Sequence, residues 1–426
     1  MRIGYYIPGW PPGAIPNGIV SSLERLGKQL VSNGHEVFYV TPDGSTFFRG
    51  QQIWITQRPD GSITRLAEKL HFKLDFEGAL FRRASKRLVN VVEKLVRHHD
   101  LEIFEMEETN GWGLPVIRRV KIPVVVRLRG PWFIHGPLTP LESGKRENLH
   151  RVEREGRAIH NAAGITAPSG DVLERAKLYY GPLKCPTAVI QNPIPPSDAR
   201  WTLDSCDRNL ILFVGRFDLH KGADILLRAF AKVSKSRKAL KLVFVGPDLG
   251  LPSDGGVIRF PEFLAQQVPP AVRERIEYLG QLPQSEVKKL RTQAYLTVVC
   301  SRYENFPNTV IESMAVGCPT IATNTGGITE MIFHSRNGLL VAAEDVDGLA
   351  AAIGKMLDDP TLARTLGKQA ALDCGEWFDA TKVVEQTVGF YSALIKSHGE
   401  RRGYRSMQYT QRTNVAGEKS GLVPQN

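Results

Sequence analysis

A short apolar strand, a glycine-rich or basic loop and an amphipathic helix occur in that order twice in this chain, starting at Ile3 and again at Leu210. That repeat constrains the fold more than any other feature. Residues 3–7 read as a strand, 9–18 as a loop rich in Gly and Pro, and 19–32 as a helix with Leu23, Leu26, Leu30 and Val31 on one face. Asn33-Gly34 ends that helix as a C-cap would, and residues 37–40 supply the next strand. The pattern restarts with a strand over 210–214, a polar basic loop over 215–222, a helix over 223–233 and a strand over 242–245. The second helix turns Ile225, Leu226, Ala229 and Phe230 to one side. Further strands are expected at 276–279 and 296–299, with a helix near 285–294 between them. Strands separated by helices argue for parallel sheets.

Residues 191–198, Gln-Asn-Pro-Ile-Pro-Pro-Ser-Asp, have the Pro-rich polar composition of a linker. The organisation that follows is an α/β domain over 1–194, a second over 195–379, a helix over 380–396 and a tail over 397–426. The tail is poor in large apolar residues and is expected to be disordered. Ligands of such sheets bind outside the carboxyl ends of the strands, so the cleft between two facing domains is the expected site.

Composition narrows the function classes. The chain has 55 Lys and Arg against 44 Asp and Glu, a formal charge of +11. A positive surface suits diphosphates, acidic membrane or nucleic acid. A nucleic-acid module would concentrate its charge in a stripe with interleaved aromatics; here the charge is spread, and no nucleic acid is expected as a partner. No apolar run reaches the roughly 20 residues of a spanning helix, and the N-terminus has no signal-peptide pattern, so the chain reads as cytosolic. Five dispersed cysteines (Cys185, Cys206, Cys300, Cys318, Cys374) without CxxC spacing suit reduced thiols and make a structural zinc site an unfavoured reading.

The chemistry concentrates in residues 300–319, C-S-R-Y-E-N-F-P-N-T-V-I-E-S-M-A-V-G-C-P, which follow an apolar strand. Pro307 near the start, Gly317 just past the end and Pro319 beyond it mark a short helix. Its N-terminus then lies at the carboxyl end of a strand, where free N–H groups and a partial positive charge attract an anion such as a diphosphate. Glu304 precedes that terminus and Glu312 lies one turn inside, on the same face as Asn308. Two carboxylates at one mouth can accept hydrogen bonds from a polyol. A solvated acidic pair is the plainer reading of those two residues taken alone.

Glu304 and Glu312 stand in a Glu-x7-Glu spacing within E-x-F-P-N-x-x-x-E, followed by Met-Ala-x-Gly-x-Pro. This segment resembles the retaining glycosyltransferases of family four, which have the GT-B fold of two Rossmann-like domains facing a central cleft. The resemblance extends to about residue 396 and points to the bacterial surface-polysaccharide type. It implies that Glu304 contacts the transferred sugar and that Glu312 binds the ribose hydroxyls. It implies also that N–H groups around Phe306, Pro307, Asn308, Thr309 and Val310 hold sugar and diphosphate. Val214-Gly-Arg216-Phe-Asp-Leu-His-Lys221-Gly222 resembles the family's G-R-x(n)-K-G loop; Arg216 and Lys221 would offset charge on the leaving diphosphate, with no metal required. Gly326-Gly327 with Glu330 resembles a G-G-x-x-E loop read as mainly structural. Gly280, in Gly280-Gln281-Leu282-Pro283, falls where the family rests the base.

The N-terminal half matches less closely. The family's Gly-Gly pair after the first strand is Asn17-Gly18 here, with Gly18 the matching glycine. The loop lacks Gly-x-Gly-x-x-Gly, which counts against a dinucleotide site. Arg129 stands where the family often has a histidine, and His135 follows six residues on; both are candidates for the sugar or acceptor side. Residues 80–97 read as a basic amphipathic helix, with Arg82, Arg83, Lys86, Arg87 and Lys94 beside Leu88, Val91, Val92 and Leu95. It either covers the sheet with a solvated basic face, the favoured reading, or touches anionic membrane. Asp345-Val-Asp347 sits at an expected helix start and is not read as a metal site. The last helix resembles the family helix that crosses back onto the N-terminal domain.

The resemblance thus implies a hexosyltransferase that moves a sugar, with retention, from a nucleotide-sugar to a glycan or lipid-linked acceptor. It needs no cofactor, the nucleotide-sugar being a substrate. A GT-B nucleotide-sugar epimerase and a sugar-binding pseudoenzyme remain the alternatives.

Overall fold

The computed structural model describes residues 1–12, 18–53, 76–139, 145–195 and 197–418. Residues 13–17 of the first glycine-rich loop, Asn17 included, lie outside the described residues, as does Pro196 of the linker.

Among the described residues the N-terminal half carries eight strands in one sheet. Their order is Gln51–Ile53, Thr46–Phe48, Glu36–Val40, Arg2–Tyr6, Ile103–Glu107, Val124–Arg127, Gly164–Ala167, Thr187–Val189. All pair in parallel except Thr46–Phe48 and Gln51–Ile53, which close one edge antiparallel. The second sheet has six described strands, all parallel, in the order Ile276–Tyr278, Lys241–Val245, Asp207–Val214, Ala294–Val299, Thr320–Thr323, Leu339–Val341. Helices cover both faces of a parallel sheet, so its central strands read as continuous apolar runs; Ile211, Leu212 and Phe213 are all buried.

The helix after the first strand, Gly18–Ser32, buries Leu23, Leu26 and Leu30 as expected. Val31 is instead 49% exposed, because its 100° step from Leu30 carries it past the edge of the stripe. Gly27 is required on this helix: a Cβ there would fall 1.7 Å from the Tyr39 hydroxyl of the neighbouring strand. Helix Phe76–His98 presses Leu88, Val91, Val92 and Leu95 into the core beneath the first sheet and leaves Arg82, Arg83 and Lys86 exposed. It is a sheet-covering helix with a basic outer face. Asp345 caps helix Val346–Asp358 by accepting the Gly348 N–H at 2.8 Å, and Asp347 pairs with Lys232.

Two stretches of chain join the halves, and they run side by side. The Ile194 N–H donates to the Phe378 carbonyl at 3.1 Å, and Ile194 bridges to Asp379. From there the last helix, Ala380–Glu418, crosses back. Its Val383, Val384, Tyr391 and Leu394 enter the core formed by Ile3, Tyr5, Leu26 and Leu30. The Tyr391 hydroxyl donates to buried Glu105 at 2.8 Å.

Residues 397–418, expected to be a disordered tail, continue this helix as far as Glu418; residues 419–426 lie outside the described residues.

Candidate active site

The strand Ala294–Val299 is buried along its whole length and points its carboxyl end at the cleft. Helix Asn308–Val316 begins there, with Pro307 at its N-cap and Gly317 at its C-cap in the left-handed region at φ 80°. The helix N-terminus therefore faces the space between the sheets. A cavity of about 270 Å³ opens on it, lined by Gly18, Arg129, His135 and Asn192 from the N-terminal half and by Lys221, Glu304 and residues 305–309 from the other.

Glu304 is 6% exposed. Its Oε1 accepts from Lys221 Nζ at 2.5 Å and from the Ser301 hydroxyl at 2.8 Å. Burial alone would raise its pKa; the Lys221 ammonium, then His220 and the two hydrogen bonds, outweigh that and bring it down to about 2. Glu304 is thus a charged carboxylate in a nearly dry site. Lys221 is held in turn by Asp218, whose Oδ1 accepts the Lys221 N–H at 2.8 Å while its Oδ2 accepts Arg216 Nε at 2.6 Å. Gly222 lets this loop lie against the strand end: at φ +66° a Cβ would meet the Cys300 carbonyl oxygen at 2.0 Å.

Asn305 ties the halves together across the cleft. Its Nδ2 donates to the carbonyls of Leu128 and Arg129 at 3.1 and 3.0 Å, and its Oδ1 accepts from Ser169 at 2.7 Å. Glu330 accepts the N–H groups of Gly170 and Asp171 at 2.9 and 2.8 Å. The Gly18 carbonyl accepts from Asn308 Nδ2 at 2.9 Å.

Arg129 donates to Asn192 and Ser22 at 3.2 and 3.3 Å. Burial, then neighbouring Arg127, lowers its pKa to about 10, so it stays charged at neutral pH. Its backbone is fixed from behind by Glu108, which accepts the N–H groups of Arg129 and Gly130 at 2.9 and 2.7 Å. His135 stacks edge-on to His220 at 5.0 Å and to Tyr303 at 5.6 Å. Burial, then His220, lowers its pKa to about 4, which makes it a neutral imidazole at pH 7.

The remaining expected residues lie apart from this cavity. Glu312 does not share a mouth with Glu304. It lines a separate cavity and is held by Arg25 at 2.7 Å, Arg291 at 3.2 Å and Gln284 at 3.2 Å. Arg216 is turned onto Asp218 with its side chain 45% exposed. Val310 is wholly buried and its N–H is taken by the Pro307 carbonyl at 3.1 Å. Gly280, at φ +60°, accepts the Gly246 N–H at 2.7 Å and lines neither cavity.

Two facing Rossmann-like sheets, with a cavity between them at a strand-to-helix junction, define the GT-B fold. Residues 199–373 match the family described as glycosyl transferases group 1, and residues 16–198 match glycosyltransferase family 4. The chain belongs to glycosyltransferase family four. It is 31% identical over 421 residues to an uncharacterized glycosyltransferase of Methanocaldococcus jannaschii, an alignment that spans 94% of this chain and all of that one. It is 30% identical to the N-acetyl-alpha-D-glucosaminyl L-malate synthase of Bacillus anthracis, covering 90% of this chain and 96% of that protein. The fold is shared with sucrose-phosphate synthase of Thermosynechococcus elongatus at a TM-score of 0.72 and 20% identity, over 93% of this chain and 99% of that one. It is shared also with Anabaena HepE solved in complex with UDP-glucose, at 0.62 and 17%, over 92% and 100%.

Several residues that shape the site carry no sequence signal. Arg25 lies 287 positions from its partner Glu312. Glu108 and Glu155, which no motif singles out, are both fully buried beneath the loop that carries Arg129 and Trp132. Asn305 sat inside the recognised segment, but nothing in its spacing distinguished it from a loop residue.

Proposed function

We propose that this chain transfers a hexose, with retention of anomeric configuration, from a nucleoside diphosphate sugar to a glycan or lipid-linked hydroxyl, without a metal ion. The observation that carries this reading is buried Glu304, paired with Lys221 at 2.5 Å beside the N-terminus of helix Asn308–Val316. The helix terminus and Lys221 offer positive charge to a diphosphate, and that charge grows more valuable as the glycosidic bond breaks. Glu304, as a carboxylate, accepts hydrogen bonds from sugar hydroxyls and stabilises positive charge on the sugar. Arg216 supplies a second cation once it leaves Asp218, and Glu312 holds the ribose once it leaves Arg25. Residues 306–309 contact the sugar and diphosphate, with Gly18 closing from the other side, and Gly280 rests against the base.

In this reading the leaving phosphate takes the acceptor proton on the same face of the sugar, so no separate base is needed. Arg129, a permanent cation where family members often have histidine, faces the sugar or acceptor phosphate, and neutral His135 lies beside it. UDP is the first base to try, since HepE binds UDP-glucose. The basic outer face of helix Phe76–His98, whose Leu88, Val91, Val92 and Leu95 are turned inward, fits an anionic membrane surface by charge alone.

The test is proton NMR of the protein incubated with UDP-glucose and other nucleotide-sugars, with a polyol acceptor and EDTA present. An axial glycoside and released nucleotide support the reading. An inverted product, an epimerised donor, or no turnover with any donor would each overturn it.

A further inference from the structure

Arg129 lines the cleft cavity from the N-terminal half, while Lys221 and the start of helix Asn308–Val316 line it from the other. Lys221 is paired with Glu304, and Arg216 with Asp218. Arg129 instead donates to neutral oxygens, the Ser22 hydroxyl at 3.3 Å and the Asn192 side-chain carbonyl at 3.2 Å. Arg127, only 4% exposed, donates to that same Asn192 oxygen at 3.3 Å and to the Ile190 carbonyl at 2.7 Å. Two guanidinium groups thus converge on one neutral amide, and among the described residues neither is ion-paired. The nearby carboxylates are engaged elsewhere. Glu105 accepts from Thr166 and Tyr391, and Glu108 accepts the N–H groups of Arg129 and Gly130. Burial, then Glu155, pushes the Glu108 carboxyl up to about 8, so at neutral pH it is mostly uncharged.

Two like charges drawn out of water without a counter-ion are unfavourable, and a ligand anion that meets them removes that cost. Arg129 is the member of the pair that lines the cavity, with Arg127 buried beside it. The planar fork of a guanidinium matches a carboxylate or a phosphate. In the proposed function the donor diphosphate lies against the helix start and Lys221, which leaves Arg129 for a second anion.

We propose that Arg129 selects a substrate carrying an anionic group, a carboxylate or a phosphate, in addition to the donor diphosphate. The inference rests on the cleft assignment of the proposed function and narrows its substrate class. The group is borne either by the acceptor or by the transferred sugar. A neutral substrate leaves the arginine pair uncompensated and binds more weakly.

The test reads binding by calorimetry on two matched pairs of probes. UDP-glucuronate against UDP-glucose examines the sugar; glycerol phosphate against glycerol, each added with UDP present, examines the acceptor. In wild type the anionic member of one pair is expected to bind about tenfold or more tighter than its neutral partner, and the pair that shows the gap identifies the substrate that carries the anion. Arg129→Gln is expected to close the gap by weakening the anionic member only, and Arg129→Lys to restore part of it; an arginine with a merely structural role would weaken both members alike. Equal binding within both pairs, a gap that persists in Arg129→Gln, or a wild type that binds none of the four overturns the proposal. Equal binding accompanied by an axial glycoside product overturns this inference alone, whereas anion-selective binding without turnover overturns the proposed function and leaves the assignment of Arg129 standing.

Discussion

The Lys221 ammonium and the Glu304 carboxylate lie 2.5 Å apart, joining a loop of the second domain's first helix to the loop before helix Asn308–Val316. Each is the other's nearest charge, so neither can be removed without changing its partner. Lys221→Ala is expected to lower kcat by about 100-fold or more, the scale of losing one charge-stabilising donor in a dry site. Steady-state kinetics with the preferred donor checks it; a loss confined to KM would mean that Lys221 serves binding alone.

The same pair sets an acid response. The native pKa of Glu304 is depressed, so its stabilising contribution is whole above the ordinary carboxylate value of 4.5 and is lost as pH falls toward about 2. Glu304→Gln is expected to flatten the melting temperature against pH in that window and leave its shape unchanged above it.

His135 acts at higher pH. The fold favours its neutral form, so stability is whole above the ordinary imidazole value of 6.5 and declines as pH falls toward about 4. His135→Phe is expected to remove that part of the slope. Urea titrations at pH 7, 5.5 and 4.5 measure it, and an unchanged slope would locate the titration elsewhere.

Tyr391 reaches across from the last helix to Glu105, a buried carboxylate that also accepts from Thr166 at 3.0 Å. Tyr391→Phe keeps the ring and removes one hydrogen bond to a buried acid, so a loss of about 1–3 kcal/mol is expected. Equilibrium unfolding reads it directly.

Gly222 occupies a left-handed position with no room for a side chain. Gly222→Ala is expected to destabilise the protein by more than about 1 kcal/mol and to lower activity, because the displaced loop carries Lys221. Full activity in this variant would show that the loop need not hold its observed position.

The two Rossmann-like halves were legible because their signal is local: strand, loop and helix recur within some thirty residues at Ile3 and Leu210. The helix that carries Asn308 and Glu312 was legible for the same reason, its Pro307 and Gly317 marking both ends. What the sequence did not show depends on pairs brought together by topology. That Glu304 and Glu312 open on different cavities follows from where helix Gly18–Ser32 lies, and no spacing between 304 and 312 encodes it. The burial of Glu108 is likewise a property of the loop laid over it, since an acid beside a strand end is normally solvated.

Ile194 and Asp379 sit beside each other, so the polypeptide passes between its halves twice at a single place. Two tethers pinned together forbid sliding and leave swivelling as the soft motion, with that place as pivot. Contacts near the pivot would change little over such a swing, whereas the Gly18–Asn308 and Asn305–Arg129 contacts, far from it, would have to part together.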